Sequence, residues 1–183
     1  MDDLNRKSVE EFKRSEKTPV IAVLENIRSA YNVGSVFRTA DAFLLESIQL
    51  CGYTPQPPHR DIQKTALGAT ETVSWKYVKQ AEDAVRDLKQ AGYAVFAVEQ
   101  TEKSIPLHQF PELMPERFAL VFGNEVSGVE DPVLILCDGS IEIPQLGMKH
   151  SLNISVAAGI VFWEILRSKP GAGPTRENTM NNL

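Results

Sequence analysis

Two cysteines and three histidines are all the soft metal-ligand chemistry that this 183-residue chain offers. Cys51 and Cys137 lie far apart in apolar stretches, no CxxC pair occurs, and His59, His108 and His150 share no metal spacing. Neither structural zinc nor a disulfide framework is supported, and no metal is expected. No apolar run approaches the roughly 18 residues of a membrane span. The polar start, Met1-Asp2-Asp3-Leu4-Asn5-Arg6-Lys7, lacks the apolar stretch of a secretory signal. Dinucleotide and phosphate fingerprints are missing as well. There is no GxGxxG after a strand, and the pair Gly123 and Gly128 is not followed by the lysine of a phosphate loop. GxSxG and HExxH do not occur. Excess positive charge is absent too: 19 Lys+Arg stand against 24 Asp+Glu, a formal charge of −5. An RNA or DNA partner must then be held by a local basic patch, against the sign of the whole molecule. The expectation is a cytoplasmic, single-domain protein.

What is present is ordinary globular material, 43% hydrophobic and 23% charged, so disorder and collagen-like repeats are ruled out. A chain of this size buries roughly 70% of its unfolded surface and needs no staple. Residues 1–18 form a polar extension in which Val9 and Phe12, three apart, allow a short helix ended by Thr18-Pro19. The stretch 169–183, rich in Pro, Gly and Asn, reads as a disordered tail. Between them, residues 19–168 alternate apolar runs with helical patterns. Strands are predicted at Val20–Leu24, Ser47–Cys51, Tyr93–Val98, Phe118–Phe122 and Ser140–Ile143, with a weaker one at Val73–Val78. Helices are predicted at Val33–Phe43, Ala81–Ala91, Pro132–Cys137 and Ser151–Ser168, with Asn32 as a cap of the first. Runs apolar throughout, rather than alternating, suit strands covered on both faces. The fold class is α/β: a mainly parallel sheet flanked by helices. Helix Ser151–Ser168 is apolar on nearly every side, which fits either the core or a subunit interface.

Three segments concentrate polar residues at the C-terminal ends of predicted strands, where open α/β sheets bind ligands. They are Asn26–Ala40 (NIRSAYNVGSVFRTA), Phe122–Gly128 (FGNEVSG) and Ile143–Ala157 (IPQLGMKHSLNISVA). Each alone also reads as a turn with a helix cap, Gly34, Gly123 and Gly147 turning and Asn32 and Ser151 capping. Taken together, Asn32-x-Gly34-x-x-x-Arg38-Thr39-Ala40, Phe122-Gly123-Asn124-Glu125-x-x-Gly128 and Ile143-Pro144-x-x-Gly147-x-x-x-Ser151-Leu152-Asn153-Ile154-Ser155-Val156-Ala157 resemble the three ordered motifs of the SpoU/TrmH branch of the SPOUT RNA methyltransferases. Lys64-Thr65-Ala66-Leu67-Gly68-Ala69 also resembles a family loop, and the resemblance covers roughly residues 19–167.

The resemblance implies a SPOUT fold whose C-terminal third is tied into a deep trefoil knot, a rare exception to un-knotted topology. It implies S-adenosylmethionine as cofactor, a homodimer, and methyl transfer to a ribose 2′-hydroxyl of tRNA or rRNA, with tRNA favoured. Many relatives carry an N-terminal RNA-recognition domain, for which 18 residues are too few. By the same resemblance, Arg38, Asn32, Glu125, Ser151 and Asn153 are catalytic, and Val98, Gly123, Ile143, Ser151 and Leu152 bind cofactor. Arg28, Arg38, Arg60, Lys64 and Lys149 form the expected basic RNA contact. Arg38 is also placed for an i,i+3 ion pair with Asp41. A catalytically silent RNA-binding or ribosome-assembly module on the same scaffold is the competing reading.

Overall fold

The computed structural model describes residues 8–148 and 151–168. The expected tail 169–183 and Lys149 lie outside them. The chain runs α1 (Val9–Arg14), β1 (Thr18–Glu25), α2 (Ala30–Ala42), β2 (Leu45–Cys51), α3 (Arg60–Ala66), α4 (Ala69–Thr72), β3 (Trp75–Val78) and α5 (Ala81–Gln90). It continues through β4 (Ala94–Val98), β5 (Ile105–Pro106), a 3₁₀ turn (Phe110–Glu112), β6 (Phe118–Phe122), α6 (Asp131–Leu136), β7 (Gly139–Glu142) and α7 (Ile154–Ser168). The seven strands form one sheet in the order β3-β2-β1-β6-β4-β7-β5, and every paired neighbour is parallel.

Alternate residues of the central strands divide between two cores. Val20, Ala22 and Leu24 of β1, with Phe118, Leu120 and Phe122 of β6, face α2, α3 and α7. Ile21, Val23, Ala119 and Val121 face α5 and α6. Burial on both sides explains the unbroken apolar runs in the sequence. Phe110 sits between Phe96 and Phe118, with centroid distances of 5.0 and 5.4 Å and edge-on geometry. That stack closes the end of one core.

Several boundaries differ from the sequence reading, for physical reasons. Helix α2 begins three residues earlier than expected. Ser29, not Asn32, is its cap, and the Ser29 hydroxyl accepts the Asn32 N–H at 3.3 Å. Helix α7 begins at Ile154, so Ser151 is not its cap. Asn153 takes that role, its Oδ1 accepting the Ser155 N–H at 2.9 Å. Helix α1 is capped by a Ser8–Glu11 box and stops at Ser15, before Thr18-Pro19, which instead opens β1. Gly34 is not a turn glycine. A Cβ there would stand 2.1 Å from Thr65 Oγ1 and 2.3 Å from the Ile62 carbonyl, so its missing side chain lets α3 cross α2 closely. Helix α7 divides its apolar surface between core and solvent. Ile154, Ala158, Val161, Phe162 and Ile165 enter the core, while Val156, Ile160 and Trp163 are exposed.

The strand order has one unusual consequence. β4 and β5 are consecutive in sequence, yet β7 lies between them. β5 pairs only with β7, so it joins the sheet through a strand that comes later in the chain.

Candidate active site

The three polar segments converge at the C-terminal edge of β1, β4, β6 and β7. Glu125 follows β6, and Asn32 lies in the first turn of α2, after β1. Asn153 precedes α7, after β7. Their side chains are joined: the Asn153 amide donates to Asn32 Oδ1 at 3.1 Å, and the Asn32 amide donates to Glu125 Oε1 at 3.1 Å. Glu125 Oε2 also accepts the Arg28 backbone N–H at 3.2 Å. Burial alone raises the Glu125 pKa. The backbone N–H groups of Glu125 itself, Arg28 and Ser29, together with the Asn32 amide, outweigh that and hold the carboxyl below its usual range. Glu125 is therefore a carboxylate at neutral pH and serves as an acceptor that fixes donors, rather than as a store of protons.

Beside this set is a cavity of about 330 Å³, within the size range of small-molecule sites. All five expected cofactor residues, Val98, Gly123, Ile143, Ser151 and Leu152, line it. Its floor is the turn after β6. A Cβ on Gly123 would stand 2.1 Å from both Gly128 C and Val129 N, so the turn can fold back this tightly only over glycine. The cavity offers apolar walls for an aromatic ring and polar positions at Glu99 and Gln100. This donor and wall set fits a nucleoside cofactor such as S-adenosylmethionine. Among the described residues, no group of three or more His, Cys, Asp or Glu side chains is arranged to hold a metal ion.

Arg38 stands apart. It is exposed, six residues or about 9 Å along the helix axis from Asn32. Its side chain makes no hydrogen bond or ion pair among the described residues. The alternative pairing with Asp41 is not formed, since Asp41 accepts the Thr72 hydroxyl at 2.7 Å. Asn32 therefore bonds Glu125 and Asn153 rather than Arg38. Of the expected basic residues, Arg28, Arg60 and Lys64 are exposed. Lys64 is already engaged, 2.8 Å from Asp61 and 3.1 Å from the Tyr31 hydroxyl.

Asn124 belongs to the second motif but has no role assigned from the sequence. It is 5% exposed. Its amide donates to the Asn26 carbonyl and the Tyr53 hydroxyl, both at 2.7 Å. Its Oδ1 accepts the N–H groups of Val126 at 2.8 Å and Ser127 at 3.2 Å. All of its capacity goes to shaping the turn that carries Glu125. The signal in the sequence was its place in FGNE, one residue before the acid.

Residues 19–163 match the model of the SpoU rRNA Methylase family. The chain belongs to this family. It is 31% identical over 171 residues to a tRNA (guanosine(18)-2′-O)-methyltransferase of Thermus thermophilus, covering 93% of this chain and 86% of that relative. An AdoMet-bound rRNA methyltransferase from Sinorhizobium meliloti superposes with a TM-score of 0.76 at 26% identity, covering 83% of this chain and 57% of that one. A solved protein described by the 2-OH methylation of C/U34 on tRNA matches at 25% identity and a TM-score of 0.72. It covers 81% of this chain and is itself 95% covered. Family membership implies the trefoil knot.

Proposed function

We propose that this chain transfers a methyl group from S-adenosylmethionine to a ribose 2′-hydroxyl of tRNA, acting as a cytoplasmic homodimer. The observation that carries the reading is the hydrogen-bonded line Asn153–Asn32–Glu125, one residue from each motif, beside a cavity lined by all five expected cofactor residues. The preference for tRNA over rRNA rests on the two tRNA-acting proteins to which the chain is similar. Among the described residues, no helix is long and apolar enough to cross a membrane.

The bound cofactor supplies an electrophilic methyl on a sulfonium. The chain must hold the ribose oxygen in line with that methyl and make it nucleophilic. Val98, Gly123, Ile143 and Leu152 wall the cofactor, with Ser151 contributing its hydroxyl. Asn32 and Asn153, fixed by the Glu125 carboxylate, orient the target sugar. Arg38 binds the target phosphate and stabilises the negative charge that develops on the 2′-oxygen as its proton leaves to solvent water and the methyl's bond to sulfur breaks, the substrate spanning the gap between Arg38 and Asn32. A guanidinium, which stays charged at neutral pH, suits that electrostatic role better than it suits proton abstraction. Arg28, Arg60, Lys64 and Lys149 supply the surrounding backbone contacts to RNA. The exposed apolar stripe Val156, Ile160 and Trp163 supports the dimer.

The test is incubation with total tRNA and total rRNA and labelled S-adenosylmethionine, followed by mapping of the methylated nucleotide. Label on a tRNA ribose is the expected result. RNA binding with no label in either pool would favour the silent RNA-binding module, and label on a base would overturn the 2′-O assignment.

A further inference from the structure

Tyr53 sits in the turn after β2 and is 56% exposed, although two hydrogen bonds tie it to the site. Its hydroxyl accepts the Asn124 amide at 2.7 Å, and Asn124 shapes the turn that carries Glu125. Its own N–H donates to Asn26 Oδ1 at 3.3 Å. The next residue, Thr54, is 2% exposed and clamps the same loop, donating to the Leu24 carbonyl at 2.9 Å and accepting the Ile27 N–H at 3.0 Å. Backbone and hydroxyl are fixed while much of the side chain remains in solvent. A tyrosine needed only for packing would bury its ring, and one needed only as a polar handle has no use for an anchored aromatic surface.

The charge around it selects the occupant. Arg28, whose backbone N–H binds Glu125, is exposed, and so is Arg60 at the start of α3, beyond the short segment that follows Tyr53. The acids of this region are committed: Glu125 to Asn32 and Arg28, Glu130 to the Asn26 amide at 2.8 Å, and Asp61 to Lys64. An anchored, exposed aromatic ring on a loop that leads to one exposed arginine, Arg60, with a second, Arg28, on the loop to which it is hydrogen-bonded through Asn26, suits single-stranded nucleic acid, bases stacking on the ring and phosphates on the cations.

We propose that Tyr53 is the stacking platform for the base of an unpaired nucleotide at the methylation site, and so a substrate-positioning residue. The inference rests on RNA being the substrate. Full-length wild type, Tyr53→Phe and Tyr53→Ala would be titrated against a mixed-sequence single-stranded RNA by fluorescence anisotropy, and against S-adenosylmethionine by calorimetry. Tyr53→Ala should weaken RNA binding about 5- to 100-fold, the range of one stacked base, with cofactor affinity within about twofold. Tyr53→Phe keeps the ring and should bind RNA like wild type. In a Tyr53→Trp variant, RNA should quench the added indole fluorescence that wild type lacks. Tyr53→Ala binding RNA as tightly as wild type, Tyr53→Phe as weak as Tyr53→Ala, or a Tyr53→Trp variant whose added emission stays unquenched would overturn the stacking role alone. Wild type that binds cofactor but no RNA would overturn the RNA reading, and the platform with it.

Discussion

Glu25 at the end of β1 is an acid that folding holds back from ionising. Burial above all, with a smaller push from the charges of Glu130 and Glu82 and against one hydrogen bond from the Glu130 N–H, raises its pKa from 4.5 to about 7. Below about pH 4.5 the group is protonated in both folded and unfolded chains and contributes no pH dependence. Between about 4.5 and 7 only the unfolded chain releases its proton, so stability falls as pH rises; above about 7 the penalty is complete. Glu25→Gln should remove this dependence and stabilise the protein at pH 8 by on the order of 2 kcal/mol, with little change at pH 4.5. Denaturant midpoints at the two pH values check it. At Arg38 the expected effect is on rate. Arg38→Ala should lower methyl transfer by ~10²–10³, about 3–4 kcal/mol, and leave cofactor binding nearly intact. Arg38→Lys keeps the charge but loses the planar fork, and should be nearly as damaging in single-turnover assays.

Among the elements, α3 shows where sequence reading stops. Its seven residues, RDIQKTA, bury only Ile62 and Ala66, too little periodicity to mark a helix; its existence depends on Gly34 of α2 leaving it room. Gly34→Val would force α3 off α2 and should cost about 1–3 kcal/mol, seen as a drop of several degrees in Tm. The central strands were legible because both faces are buried, which leaves an unbroken apolar signature; β5, two half-buried residues, left none. The polar segments were legible as ligand-binding edges, but their wiring was not. Ser29 and Asn32 are both good caps in the sequence, and the choice is settled by Glu125, which arrives from 93 positions away to occupy the Asn32 amide. Helix α7 left its two faces undivided in the sequence because both are apolar; only packing separates Phe162, in edge contact with Phe122 at 5.7 Å, from exposed Trp163. Trp163→Asp should leave the core intact and abolish the dimer, so light scattering should give a mass near 20.3 kDa for the variant and twice that for wild type.

At the scale of the molecule, an RNA partner has to be held by a protein whose net charge is −5. Attraction is confined to a few cations near the site, so affinity should be only moderately salt-dependent. If Arg28, Arg38, Arg60, Lys64 and Lys149 each meet one phosphate, the plot of log affinity against log salt should have a slope of about −3.5 for single-stranded RNA. Removing Arg60 should reduce its magnitude by roughly 0.7 and leave catalysis at saturating RNA unchanged.

The position of β7 also sets an order of events. Because β5 pairs with no strand but β7, the sheet beyond β4 cannot be completed until this last strand is in place. Ile143, Ser151 and Leu152, which complete the cavity wall, all follow β7. On the ribosome, a nascent chain that has exposed everything through β6 can assemble most of the sheet and still have no cofactor site. Acquisition of S-adenosylmethionine binding should therefore coincide with the final phase of refolding and lag behind the recovery of helical signal. The cofactor, once bound, should slow the escape of that last segment by holding both walls together.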